Sequence, residues 1–449
     1  MKKKVAPYSL AAGLLALLFF MSAFGFQIRA FAEERYSELQ NFAKVLNIIQ
    51  QYYVEPVDTK KLVYGAIKGM LRELDPHTNF MQPEIFKDFE SETTGEFGGL
   101  GIEISVTNGI LTIISPIEDT PAWHAGIKAG DKVVAVDGKS TKGLSLVEAS
   151  QLMKGKKGTK VILQVVREGE ENPKDITIVR GNVKIKSVKY TDLEDGYAYI
   201  RVTSFIESTS DDLKKTLEEH IKKNKKIEGV LIDLRRNPGG LLDQAIKVSD
   251  MFLKEGTIVS TIGRNAKDKE VAVATRKGTY TGFPLVILVN EYSASASEIV
   301  SGALQDNKRA LIVGERTFGK GSVQSIVKLA DGSGLKITVA RYYTPSGISI
   351  QAEGITPDIE IEEVDIEQFS KALAKPVNNR ERDIIGHLKG DREDKSTKKE
   401  GGAYAWWKEV GSKKDNDLSP KDKLLKGDYQ AYQAFGYLRA WNTLKVIKQ

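Results

Sequence analysis

The sequence predicts a multi-domain α/β protein, on three observations. Residues 185 to 360 alternate short apolar runs with helical stretches. Residues 93 to 170 are strand-rich and broken by glycine turns. Both ends of the chain carry apolar stripes at helical spacing. A chain of 449 residues fits several domains of ~150 residues each.

The chain opens with Met1-Lys2-Lys3-Lys4, and residues 10–26 form an apolar run of 17 before Ala30-Phe31-Ala32. A basic start, an apolar stretch and a small-x-small site are the pattern of a signal peptide, here 1–32. The alternative is an uncleaved anchor, since 17 residues is the short edge of a bilayer span. Either way the body is expected outside the cytoplasm, in the periplasm or held at the membrane.

Residues 33–92 read as a helical arm. Leu39, Phe42, Val45, Leu46 and Ile49 recur at steps of three and four, and a second stripe follows Asp58 until Asp75-Pro76 stops it. Such faces cover either a core or a second copy. Residues 93–170 form the β-rich module: Gly95, Gly98, Gly99 and Gly101 precede alternating Ile102, Ile104 and Val106, and Ser145 to Met153 is its helical segment. Residues 171–390 hold the α/β layer. Its short strands, Tyr197 to Val202, Gly229 to Leu234, Leu285 to Val289 and Ala310 to Val313, are apolar throughout, as in a parallel sheet covered on both faces. Residues 391–449 begin with the charged linker DREDKSTKKEGG and end in a tail with Leu425, Tyr429, Tyr432, Phe435 and Leu438 at helical spacing. That stripe reads as a docked helix or an oligomer contact.

Composition narrows the chemistry. With 41% hydrophobic and 28% charged residues the chain is globular. Its net charge of +6 gives no case for nucleic acid. Cysteine is absent, which excludes disulfides, thiolate catalysis and cysteine-bound zinc.

The sharpest feature is Tyr292-Ser293-Ala294-Ser295-Ala296-Ser297-Glu298, between an apolar strand and a helical pattern. Ser295-x-x-Glu298 is a capping box. It is equally a serine exposed at the carboxyl edge of a sheet, where backbone N–H groups can bind an oxyanion. A hydroxyl nucleophile needs a base. His77, His124, His220 and His387 are poorly placed for it by their sequence contexts, whereas Lys320, between Gly319 and Gly321, can lose its proton if buried. Phe318 is expected to dry that site. Gly314 to Lys320 also matches the GxxxxGK phosphate loop. Gly321 supplies no Mg²⁺-binding hydroxyl, and Val323, Ser325, Val327 and Leu329 alternate like a strand, so that reading fails. Asn237-Pro238-Gly239-Gly240 and Gly98-Gly99-Leu100-Gly101 are turns whose amides are ordinary or anion-binding.

Together these segments resemble the C-terminal processing peptidases, exported serine proteases with a PDZ domain. The resemblance runs from about residue 39 to 365. It rests on Asp75-Pro76-His77, Gly98-Gly99-Leu100-Gly101-Ile102, Ala125 to Asp131, Asp233-Leu234-Arg235-x-Asn237-Pro238-Gly239-Gly240, Ser293 to Ile299, and Phe318-Gly319-Lys320-Gly321. It implies a PDZ domain over 93–170 ahead of an α/β peptidase core, between the helical arm and the helical tail read from their stripes; the pattern thins after residue 365. It implies Ser295 as nucleophile, Lys320 as general base and Gln324 as the residue that orients the lysine. Ala296 would give one oxyanion amide, and Gly239 or Gly240 the other. Gly99, Leu100, Gly101 and Ile102 would bind a substrate's C-terminal carboxylate. No metal or organic cofactor is implied. Partners are protein C-termini and a second copy of the chain, with an adaptor protein as a further candidate. The alternative is a non-catalytic PDZ scaffold.

Overall fold

The computed structural model describes residues 37–364, 369, 387–388 and 403–447, except 108, 118, 119, 145, 171, 185, 277 and 278. The expected signal segment and charged linker lie outside them. The chain divides into two compact units, one ending at Phe80 and one starting at Met81. Among the described residues no helix is long and apolar enough to cross a membrane.

The first unit holds a helix over 37–52 and the helix Thr59–Arg72. Asp58 caps the latter, its carboxylate accepting from Lys60 N (2.8 Å) and Lys61 N (3.2 Å). Leu39, Phe42 and Val45 of the first stripe are exposed.

In the second unit the β-rich module is an antiparallel sheet in the order Ile102–Thr107, Ile110–Pro116, Lys132–Val136, Lys160–Val166, Lys174–Val179. The last strand lies beyond the expected boundary at residue 170. Alternation places Val161, Leu163 and Val165 inside, against Leu111, Ile113 and Met153. Asp131, fully buried, receives Arg167 through both carboxylate oxygens (2.7 and 2.8 Å).

The α/β core is a six-stranded sheet in the order Val188–Asp192, Tyr197–Val202, Gly229–Asp233, Leu285–Val289, Leu311–Gly314, Ile359–Glu360. Its first pair is antiparallel and the rest are parallel. One face, with Val230, Ile232, Leu285 and Ile287, packs on the helices Thr209–Asn224, Leu242–Asp250 and Ala296–Asp306. The other, with Leu231, Val286, Leu288 and Val313, is covered by the tail through Leu425, Ala431, Phe435 and Leu438. Two covered faces explain why these strands read as continuous apolar runs rather than alternating ones. The aromatic stripe of the tail is therefore a docked helix, and its apolar face belongs to this chain's own core rather than to a second copy. Burying Phe435 and Leu438 contributes ~1.5–3 kcal/mol each.

A second antiparallel sheet flanks the core. Ser322–Lys328 and Gly334–Tyr343 form its hairpin, which continues into Thr257–Gly263 and Lys269–Val273.

Candidate active site

The site sits at the carboxyl ends of the parallel strands, where three loops meet. After Gly229–Asp233 the chain turns through Arg236, at φ 58°, into Asn237-Pro238-Gly239-Gly240. Asn237 is fully buried and organises this turn. Its side chain donates to Val202 O (2.8 Å) and accepts from Gly239 N (2.9 Å). Its carbonyl accepts from Ala294 N (3.0 Å) and Ser297 Oγ (3.0 Å), which binds the turn to the serine segment. The glycines are required by contact: a Cβ on Gly239 would lie 2.8 Å from Ser295 Cβ, and one on Gly240 2.2 Å from Phe205 O.

The three serines differ. Ser293 is buried; its hydroxyl donates to Leu234 O (2.8 Å) and accepts from Asn290 N (2.9 Å). Ser297 is buried on Asn237. Ser295 is half-buried and stands at φ 55°, ψ −110°, a conformation costly for any residue with a Cβ. It caps the helix Ala296–Asp306, and the capping box with Glu298 is formed, Ser295 N donating to Glu298 Oε2 (2.7 Å).

Glu298 does more than cap. It is fully buried, and its carboxylate accepts four hydrogen bonds. Oε1 takes Thr317 Oγ1 (2.6 Å) and Gly319 N (2.6 Å); Oε2 takes Ser295 N and Lys320 N (2.9 Å). One side chain thus straps the Ser295 backbone to the Lys320 backbone. Burial pushes its pKa up, against the pull of those donors.

Lys320 follows the strand Leu311–Gly314 in a loop held by residues 351–354. Ala352 N donates to Gly319 O (2.8 Å), and Gln351 Oε1 accepts from Gly321 N (3.1 Å). Burial lowers the Lys320 pKa, the nearby Lys336 charge lowers it further, and Glu298 opposes both. Among the described residues its amine has no hydrogen-bond or ion-pair partner. Such surroundings shift the balance of Lys320 toward its neutral, basic form.

Three expectations need correction or choice. Gln324 does not hold the lysine: its amide donates to Ser322 Oγ (2.9 Å) and Thr338 Oγ1 (3.5 Å), at a bulge in the hairpin. Phe318 does not dry the site, because 61% of it is exposed. Of the two glycine amides, Gly239 N is taken by Asn237, whereas Gly240 N and Ala296 N have no acceptor among the described residues. His220 is buried, with Nδ1 2.7 Å from Tyr190 OH and Nε2 3.1 Å from Gly196 O, and touches none of these groups.

In the β-rich module, the carbonyls of Gly98, Leu100 and Gly101 accept from Gly155 N, Ala122 N and Ile117 N. Leu100 N and Gly101 N have no acceptor among the described residues, just before the strand that begins at Ile102, while Gly99 ends the short strand Glu96–Gly99.

Comparison with known proteins matches this arrangement. The peptidase family S41 description fits residues 196–361, a PDZ domain description fits 112–167, and that of the N-terminal domain of the activating protease CtpB fits 26–85. A carboxy-terminal-processing protease of Bartonella bacilliformis is 43% identical over 88% of this chain and 90% of its own length. The chain belongs to the carboxy-terminal-processing proteases of family S41. The carboxy-terminal processing protease CtpA of Bacillus subtilis is 39% identical over 73% of this chain and 69% of its own. A solved photosystem II D1 C-terminal processing protease is 31% identical, with TM-score 0.44, over 72% of this chain and 92% of that one. The protein is therefore a serine-type peptidase with a PDZ domain, and the S41 match spans both Ser295 and Lys320. Sequence reasoning missed the roles of Glu298 and Asn237. The Ser-x-x-Glu spacing was visible, but only as a helix cap.

Proposed function

We propose that this protein is an exported endopeptidase that cleaves proteins near their C-termini through Ser295 and Lys320. Ser295 Oγ bonds to a peptide carbonyl carbon while Lys320 takes the hydroxyl proton; Lys320 then gives that proton to the leaving amine. Water opens the resulting ester, with Lys320 again taking and returning the proton. The amides of Ala296 and Gly240 hold the oxyanion, Gly240 being preferred to Gly239 because the latter's N–H is already engaged. Gly99, Leu100, Gly101 and Ile102 receive the substrate's C-terminal carboxylate, and the peptide adds along the strand from Ile102. Residues 1–32 direct export, and the helical arm, PDZ domain, core and tail divide near residues 92, 170 and 390, with the PDZ sheet running on to Val179.

The observation that carries this reading is the Glu298 strap. A buried carboxylate fastens the half-exposed serine to the backbone of a partly buried lysine whose amine has no partner among the described residues, while the two neighbouring serines are consumed by structure. The test is labelling with a serine-reactive phosphonate, followed by incubation with an exported proteome and sequencing of the new termini. Labelling at Ser295 that disappears in Ser295→Ala, with an unchanged melting curve, is expected. Equal turnover by Ser295→Ala would move the nucleophile elsewhere.

A further inference from the structure

The tail lies outside the S41 match, which ends at residue 361, yet one of its residues reaches the catalytic edge of the sheet. Arg235 is the second residue after the strand Gly229–Asp233 and stands two residues before Asn237. Its guanidinium is fully committed. Nε and Nη2 donate to Asp233 (3.0 and 2.7 Å), Nη1 donates to Asp428 Oδ1 (3.0 Å) and Gln430 Oε1 (2.8 Å), and Nη2 also donates to Asp428 Oδ2. Asp233 is buried and further held by Tyr199 OH (2.6 Å). Asp428 is itself fixed from the tail side: it accepts from Ala431 N (2.9 Å) at the head of the helix Tyr429–Ile447. Gln430, the second residue of that helix, donates to Ile361 O (2.7 Å). That helix is pinned to the sheet by Phe435 and Leu438.

The turn beyond Arg235 is strained and needs support. Arg236 is left-handed, and the loop beyond it is held by the side chains of Asn237, Asn290 and Ser297 and by Phe205 N on Gly239 O (2.9 Å), so that Arg235 anchors its near end. A bidentate carboxylate on a guanidinium fixes orientation as well as distance. We infer that Asp428 is a positioning residue for the Asn237–Gly240 turn, acting through Arg235, so that the tail is a working part of the active site. The inference rests on the reading of Gly240 N as an oxyanion donor.

The test uses the full mature chain carrying Asp428→Asn. Asparagine caps a helix as well as aspartate does, so the tail helix keeps its start while the ionic clamp is lost. Amide exchange in 237–241 should speed up several-fold, kcat should fall about tenfold on a peptide cleaved by the parent, and KM should stay within about twofold. Asp428→Glu should recover much of the kcat. Exchange unchanged in 237–241 overturns the clamp, whatever the activity. Faster exchange with kcat intact overturns the positioning role in a different way, by showing that the turn does not serve the oxyanion.

Discussion

Ser293, Ser295 and Ser297 share one short segment and differ in what surrounds their hydroxyls. Replacing the buried pair by alanine should cost stability, ~1–3 kcal/mol where a partner is left unsatisfied, whereas Ser295→Ala should cost activity. Lys320 makes the sharper prediction. Arginine stays protonated at any working pH, so Lys320→Arg should be as inactive as Lys320→Ala; substantial turnover in the arginine variant would end the base assignment. The pH dependence follows from the same burial. The folded chain holds the Lys320 pKa below its unfolded value, so the folded state binds fewer protons between the two. Stability should then rise with pH through that interval, the rate should rise as pH crosses the folded pKa and level above it, and Lys320→Met should flatten the stability part. Glu298→Gln turns a four-fold acceptor into a group with a donor facing N–H groups. Its activity should fall at least tenfold with secondary structure intact by circular dichroism; a fully active variant would remove the strap from the mechanism.

At the scale of elements, the strands were legible because each is covered on both faces, which leaves Leu285 to Val289 no polar position to interrupt the run. The glycine turns were legible as turns, but the choice between Gly239 and Gly240 was not. It depends on which amide the Asn237 side chain captures, and the structure shows that it takes Gly239 N, two residues on, as an Asx turn does. Gln324 was misread for a related reason. Four residues beyond Lys320 it lies on a strand, where the bulge at Val323 decides which way it points. Glu298 was visible only as a cap because its other donors, Thr317 to Lys320, come from a loop 19 to 22 residues away. The loop before Ile102 yields a binding prediction. The carbonyls of Gly98, Leu100 and Gly101 are used and the amides of Leu100 and Gly101 have no acceptor among the described residues, so a peptide with a free C-terminal carboxylate should bind at least tenfold tighter than its amide. Equal affinities by calorimetry would return the loop to an ordinary turn.

On the scale of the whole molecule, the two apolar ends part company. The tail stripe closes the sheet, and a chain ending at residue 402 should expose Leu231, Val286 and Leu288 and aggregate; a soluble, active truncation would contradict this. The arm stripe at Leu39, Phe42 and Val45 is open, and we expect self-association there. Light scattering on the chain lacking 1–32 should give a dimer that Phe42→Glu dissociates, and a monomer at micromolar concentration would reject it. An apolar helical stripe looks the same in sequence whether it faces its own sheet or a second copy, which is why the sequence alone left both ends undecided. The clamp at Asp428 also bears on time. Ser297 reaches back 60 residues to Asn237, and Arg235 waits 193 residues for Asp428. Closing loops of such length costs conformational entropy, and the longer one needs the tail to be present. If Asp428 positions the turn as inferred, a nascent chain holds Ser295 and Lys320 well before it holds the helix that arms them.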